Sequence, residues 1–217
     1  MKCKRCDNIC VKNGKQKNDI QRYYCQNCKL SQQNKYLYKA YIKNTNIKII
    51  KLLKEGCGTR SIARLLEINT STVTNRIVTI AKDVKKPIVK IGKKYEMDEL
   101  FTYLKRKKNR ICVAYAINKQ TKEVVDFTVG KRNKVNLKKV VDTLIMSSAK
   151  EIRTDKLNLY KTLIPKSIHL VKQRGINHIE RKNLTLRTHI KRLNRKTIAF
   201  TRNTLLLTSI LKIYFWG

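Results

Sequence analysis

"RICVAYAINKQTKEVVDFTVG", residues 110–130, decides how the chain is read. Two runs of apolar, β-branched and aromatic residues flank Asn118-Lys119-Gln120-Thr121, a polar stretch that can reverse the chain. The spacing predicts two strands joined by a turn. Just before them, "KYEMDELFTYL" (94–104) begins a new strand-like pattern. After them, "NLKKVVDTLIMSS" (136–148) has helical spacing, and "KEIRTDKLNLY" (150–160) reads as a short strand ending at Asp155. "YKTLIPKSIHLV" (160–171) suggests a turn of helix and then a strand, and "IERKNLTLRTHIKRL" (179–193) is a clear helix.

Strand, strand, strand, helix, strand, helix is the order of a mixed-sheet α/β domain of the ribonuclease-H-like kind. In such a sheet the first and fourth strands are neighbours. Asp98 in the first strand, Asp155 at the end of a later strand and Glu180 near the start of the last long helix can then converge. Three carboxylates from three elements can hold divalent metal, Mg²⁺ or Mn²⁺, for phosphoryl transfer. Glu96 shares the strand face of Asp98 and is a possible fourth acid; alternation points Glu99 away, toward solvent or a salt bridge.

Glu180 is the only acidic residue between Lys156 and Gly217. On its helix Ile179, Leu186, Ile190 and Leu193 form an apolar stripe, while Glu180, Asn183, Arg187 and Lys191 form a second stripe. Such a face can hold a metal at one end and a nucleic-acid backbone along the rest, with Arg192 beside it.

The whole chain carries 51 Lys and Arg against 14 Asp and Glu, a net charge of +37 over 217 residues. That excess implies a polyanionic partner, DNA first, and exceeds what solubility needs. Long aliphatic segments argue against a disordered basic tail. With no signal-like start and no apolar run long enough to span a bilayer, the expectation is a cytoplasmic, nucleoid-associated protein without a membrane partner. No glycine-rich phosphate loop is present, which argues against an ATP-driven function.

Seven cysteines in a reducing compartment suggest metal ligation. Cys3-x-x-Cys6 and Cys25-x-x-Cys28 are spaced as two turns that present four thiolates to one Zn²⁺, a zinc-ribbon pattern. About thirty residues cannot build a core alone, so a structural metal is expected. Asn13-Gly14 is the turn signal between them. Cys10 reads as a spare buried thiol.

Between ribbon and sheet, residues 46–82 carry short helical repeats: Ile47, Ile50 and Leu53, then Ile62, Leu65 and Leu66, then Val73, Ile77 and Ile80, with Thr70 or Ser71 as cap of the third helix. This is helix-turn-helix spacing. The third helix would turn Ser71, Thr72, Asn75 and Arg76 outward to DNA. The organisation expected is α/β multidomain: a zinc ribbon at 1–35, a helix-turn-helix at 42–84, a linker at 85–93 and a ribonuclease-H-like catalytic domain at 94–217.

"CKRC" and "CQNC", "GTRSIARLLEINTSTVTNRI", "YEMDEL", "RTDKLNLY" and "HIERKNLTLRTHIKRLNRKT" together resemble transposases of the insertion-sequence-one family, from about Cys3 to Trp216. The most specific part is an Asp–Asp–Glu set followed by a basic residue seven positions after the Glu: Asp98, Asp155, Glu180 and Arg187. The resemblance implies a DDE-type transposase that binds the terminal inverted repeats of its element and cuts and joins them to target DNA, working as a homo-oligomer on DNA. It implies that Arg187 contacts DNA near the cleaved bond and that Asn183 belongs to the same site. Two departures stand out: this chain is continuous where the founding member joins two reading frames, and the first knuckle, Cys3-Lys4-Arg5-Cys6, lacks a proline often seen there. A non-catalytic DNA-binding regulator would need only the first half and leaves the three acids unexplained. A related metal-dependent nuclease would use the same acids.

Overall fold

The computed structural model describes residues 1–171 and 177–217. The chain opens with a three-stranded antiparallel sheet, β1 (Val11–Lys15), β2 (Gln21–Cys25) and β3 (Leu30–Gln33), in the order β1-β2-β3. Its small core is mostly sulfur: Cys3, Cys10 and Cys25 are buried, with Cys6, Tyr23 and Cys28 packed against them. Asn13-Gly14 is not the turn. It sits inside β1, where the register slips between Lys12 and Lys15 and Gly14 takes φ +65°, a bulge that needs the missing Cβ. The chain reverses at Gln16–Asp19 instead, with Asp19 N donating to Gln16 O at 3.0 Å.

Three helices follow: α1 (Thr45–Lys54), α2 (Thr59–Leu66) and α3 (Thr70–Asp83). Asn69, rather than Thr70 or Ser71, caps α3; its Oδ1 accepts from Ser71 N at 2.9 Å. Ile62, Val73, Ile77 and Ile80 are buried as the periodicity expects, but Ile47 and Leu65 face solvent and Ile49 takes the core position on α1. Gly56, at φ +79°, closes α1; a Cβ there would meet the carbonyl oxygen of His189 at 2.6 Å.

The second sheet has five strands: β4 (Lys94–Tyr103), β5 (Arg110–Asn118), β6 (Val124–Gly130), β7 (Glu151–Thr154) and β8 (His169–Val171). Their order is β6-β5-β4-β7-β8, so the first and fourth strands of this sheet are neighbours. β4, β5 and β6 are antiparallel, and β7 and β8 run parallel to β4, making the sheet mixed. Asn118 shapes the β5–β6 turn by accepting from Gln120 N and Thr121 N. One face of the sheet is covered by α4 (Lys134–Met146) and α5 (Asn158–Leu163), whose Leu137, Val140, Val141, Leu144 and Tyr160 pack on Tyr95, Met97, Ala114 and Ala116.

The other face is covered by α6 (Asn177–His189) and by α7 (Thr204–Trp216). The sequence reading did not place α7, because it is apolar nearly all round and lacks a single stripe; such a helix belongs inside a protein. It packs on α1, α3 and β6, so the helical unit and the sheet share one apolar core that contains Ile49, Val73, Ile77, Val113, Ile117, Leu207 and Leu211. The segment from Val84 to Lys93 is irregular, and Lys86 ties it down by pairing with Asp126 at 2.7 Å and donating to Thr143 Oγ1 at 3.2 Å.

A shared core has a measurable consequence. Leu211→Ala removes a fully buried side chain and is expected to cost about 2–5 kcal/mol. It should lower the stability of the three-helix unit and the sheet together, in one denaturant transition. Two separate transitions, with only one moved, would contradict the shared core.

Candidate active site

β4 pairs with β7 in parallel register, Lys94 with Glu151, Tyr95 with Ile152 and Glu96 with Arg153. The same offset, carried two residues past the last pair, sets Asp98 opposite Asp155. β7 stops at Thr154, so Asp155 begins the turn into α5, and its Oδ1 accepts from Leu157 N at 3.0 Å. That Asx-type bond holds the carboxylate at the strand end.

α6 lies across the same end of the sheet and delivers Glu180 in its first turn. Three residues on, about one turn along the helix, is Asn183, whose Nδ2 donates to Asp98 Oδ2 at 2.6 Å. Asn183 Oδ1 lies 2.8 Å from the Tyr115 hydroxyl, which donates to it. These two bonds fix the amide's orientation, since a flipped amide would set oxygen against Asp98. Asp98 Oδ1 accepts from Glu99 N at 2.7 Å.

The structure departs from expectation at two acids. Glu99 does not run to solvent. It is buried, and its Oε1 accepts from the Tyr160 hydroxyl at 2.6 Å. Alternation is obeyed, but β7 has already ended there, so the far face of β4 opens beside Asp155. One carboxylate oxygen each from Asp98, Glu99 and Asp155 lie within 4.8 Å of one another. Glu180 is exposed and stands outside that closest trio, near enough to act on the charge of Asp98. Glu96, the suggested fourth acid, turns away from the trio: it is fully buried, and its Oε2 accepts from Ile179 N at 3.1 Å.

Burial, together with the negative charges of Asp155 and Glu180, pushes Asp98 up to about 6, against the bonds from Glu99 N–H and Asn183. Burial likewise pushes Glu99 up to about 7, with Asp155 and Asp98 adding to it and the Tyr160 hydroxyl opposing. A cluster that resists full ionisation in this way suits a cation.

The acids open into a cleft of about 1400 Å³ between the later part of β4 and the α6 side. Asp98, Glu99, Glu180 and Asn183 line its floor; Arg110, Arg187, Lys191, Arg195 and Lys196 line its walls. Arg187 Nη1 donates to Leu193 O at 3.1 Å, which aims the guanidinium along the cleft. Burial and Arg195 lower the Arg187 pKa, while Asp98 raises it. Arg192 is half-buried and does not line this cleft; burial lowers its pKa. Phe101 carries the Arg110 guanidinium 3.7 Å from its ring centre, an arrangement that sequence spacing does not announce.

On α3, Ser71 and Asn75 are exposed. Thr72 Oγ1 lies 3.0 Å from the Tyr38 hydroxyl. Arg76 is less free than expected: its guanidinium donates to Asn46 Oδ1 and to Ala40 O, each at 2.6 Å. In the N-terminal sheet the Sγ atoms of Cys3, Cys6, Cys25 and Cys28 lie within 4.8 Å of one another. Cys10 stays outside that group, buried and accepting from Gln32 Nε2 at 3.1 Å.

The family model of the IS1 transposase matches residues 91–215, more than half of the chain. The protein therefore belongs to the IS1 transposase family. Among its relatives, the insertion element iso-IS1n protein InsB of Shigella dysenteriae is 35% identical over 108 residues, 50% of this chain and 82% of that protein. The insertion element IS1 protein InsB of Shigella flexneri is 29% identical over 119 residues, 55% of this chain and 91% of that protein. Among solved structures, the simian T-cell lymphotropic virus intasome in complex with PP2A regulatory subunit B56 gamma is similar with a TM-score of 0.41 and 14% identity, over 75% of this chain and 66% of that one. No helix among the described residues is long and apolar enough to cross a membrane.

The raised acids set a pH dependence. Asp98 shifts from an ordinary 3.8 to about 6, and Glu99 from 4.5 to about 7. The folded protein then binds protons that the unfolded chain has released, so these two groups favour folding at low pH, and that contribution is lost as pH rises through 6 and 7. Without divalent ions, the thermal midpoint should fall more steeply from about pH 4.5 to about pH 7.5 than in an Asp98→Asn, Glu99→Gln double variant. Equal slopes in a calorimetric pH series would remove these groups from the explanation.

Proposed function

We propose that the protein is a DNA transposase of the DDE type. It binds the terminal inverted repeats of its own element and carries out metal-dependent strand cleavage and strand transfer into target DNA, working as a homo-oligomer on DNA. The observation that carries the reading is the convergence of Asp98 and Asp155, with Asp98 and Glu180 lining a cleft that is also lined by arginine and lysine. The strand order and the position of α6 support a ribonuclease-H-like catalytic domain.

The acids fit Mg²⁺ or Mn²⁺: hard oxygen donors, crowded, partly buried, and costly to ionise together without a cation. Asp98, Asp155 and Glu180 are the ligands we assign. When bound, the metal polarises the phosphate and activates the attacking oxygen. The chain does the rest. Asn183 holds the Asp98 carboxylate through Oδ2, while the Glu99 N–H meets Oδ1, so the carboxylate is fixed in one orientation. Arg187, aimed by Leu193 O, sits where it can grip the phosphate next to the reacting one. Lys191, Arg195 and Lys196 extend that grip along the backbone, a sequence-independent role.

The first thirty-odd residues fit a zinc ribbon. Four sulfurs within 4.8 Å suit a tetrahedral S4 site, and Arg5 N and Cys28 N donate to Cys3 Sγ and Cys25 Sγ at 3.4 Å each. The Arg5 amide draws Cys3 down to about 6, and the neighbouring Cys6 pushes Cys28 up to about 12, as expected when four thiols share too little positive charge. α1 to α3 serve as a helix-turn-helix, with Ser71 and Asn75 reading bases. Thr72 and Arg76 contact DNA only through what their Tyr38, Asn46 and Ala40 bonds leave free. Arg192 acts on DNA from beside the cleft.

Three measurements test this. Glu180→Gln should cut strand cleavage and joining by roughly 10²-fold or more while end-DNA affinity persists; near-normal cleavage in a gel assay on end DNA would refute the catalytic assignment. Cys25→Ser should drop bound zinc from about one per chain to about none and unfold the ribbon; an ordered ribbon with no zinc in fresh protein would sink the S4 site. Lys191→Ala should shrink the slope of log affinity against log salt by about 0.9 on any duplex; an unchanged slope would take Lys191 off the backbone.

A further inference from the structure

Glu96 is a carboxylate with 0% of its surface exposed, two residues before Asp98 on the same face of β4. Burying a carboxylate is expensive unless donors or cations meet it. Here its Oε2 accepts from Ile179 N at 3.1 Å. Ile179 is the third residue of α6, so its N–H is one of the four at a helix start that the helix itself cannot satisfy. Helices usually take that cap from a residue next to them in sequence. The Ile179 N–H is met by the strand that carries the first acid of the site.

The second tether is Tyr115, paired with Asp98 in the β4–β5 register. Its single hydroxyl proton goes to Asn183 Oδ1 at 2.8 Å, with the Ile179 carbonyl oxygen at 3.2 Å as the weaker, competing acceptor, so β5 holds α6 chiefly through Asn183. Glu180 is the next residue. With the Ile179 N–H held by β4, and Asn183 bonded to both Asp98 and Tyr115, the first two turns of α6 have little freedom to slide or rotate over the sheet.

We propose that Glu96 is a positioning residue for the metal site: it caps α6 from β4 and thereby sets Glu180 in register with Asp98. The inference rests on the reading of Asp98, Asp155 and Glu180 as metal ligands. Glu96 touches neither metal nor DNA in this role. Glutamine keeps an acceptor for the Ile179 N–H, whereas leucine keeps the volume and loses the bond.

Mn²⁺ binding, followed by the loss of the free-ion paramagnetic signal, reads the effect without turnover. Glu96→Leu should weaken Mn²⁺ at least tenfold, with end-DNA affinity kept within about threefold. Glu96→Gln should recover most of that loss, and strand-joining rates should follow the same order. Folded Glu96→Leu protein with wild-type Mn²⁺ affinity would overturn the proposal, and so would a Gln variant as impaired as the Leu one. If the Leu variant does not fold, amide exchange in the wild type decides: the Ile179 amide should exchange at least tenfold more slowly than that of His178, which has no such partner among the described residues, and equal rates would overturn the cap. Asp98→Asn is the control for the underlying reading. Unchanged Mn²⁺ binding in that variant rejects the metal assignment, while Ile179 exchange still tests the cap.

Discussion

The parallel pairing of β4 with β7 is the constraint on which the site depends. It covers three residue pairs, yet it sets where Asp98 and Asp155 meet. Parallel neighbours cannot be joined by a tight turn, so the intervening chain must cross over, and α4 is that crossover. α4 and α5 then bury one face of the sheet, and beyond the pairing at Glu96 that edge of β4 has no strand against it among the described residues. The short length of β7 therefore matters as much as its register. A strand two residues longer would pair its backbone with β4 beside Asp98 and Glu99, and the two acids would lose the open edge they share with Asp155.

Charge is distributed to match. A chain at +37 has few acids, and several of the 14 are spent at this one place: Glu96, Asp98, Glu99, Asp155 and Glu180 all lie on or beside β4, the end of β7 and the start of α6. The floor of the cleft repels a phosphate while its walls attract one. Without a cation, Asp98 and Glu99 are harder to ionise than ordinary carboxyls, pushed up to about 6 and about 7. Burial raises those two pKa values first and the neighbouring acids add to it, and a divalent ion is welcome because one bound cation relieves both the buried charge and the unfavourable pairs.

Much of this was legible in the sequence, for identifiable reasons. The four ribbon cysteines, Asp98, Asp155, Glu180 and the apolar stripe of α6 declare themselves by spacing, and spacing survives folding. Glu99 was misread because alternation says which face a side chain takes but not what covers that face; Tyr160 and the early end of β7 decide that. Asn13-Gly14 looked like a turn, although a glycine at positive φ serves a bulge as well. Arg76 looked free because the carbonyl and amide that hold it come from 36 and 30 residues away. α7 was missed since its residues are apolar on every side, and periodicity has nothing to report in such a helix.

That unread helix joins the parts. α7 contributes Leu207, Ile210, Leu211 and Ile213 to the same core as Ile49 and Leu53 of α1 and Ile77 and Ile80 of α3. Beside it, Gly56 lets the end of α1 approach the backbone at His189, the last residue of α6, and Tyr214 bonds His189 Nδ1 at 2.7 Å. α6 is thus held at both ends: its first turn by β4 and β5, and its last by α1 and α7. A load on α3 reaches α6 through close-packed side chains, which do not yield continuously. The helical unit is accordingly not a tethered reading head on a loose linker. Its orientation is set by the same buried surface that seats α6, so the exposed stripe of Ser71 and Asn75 and the cleft lined by Asp98 and Glu180 keep one relation determined by the core.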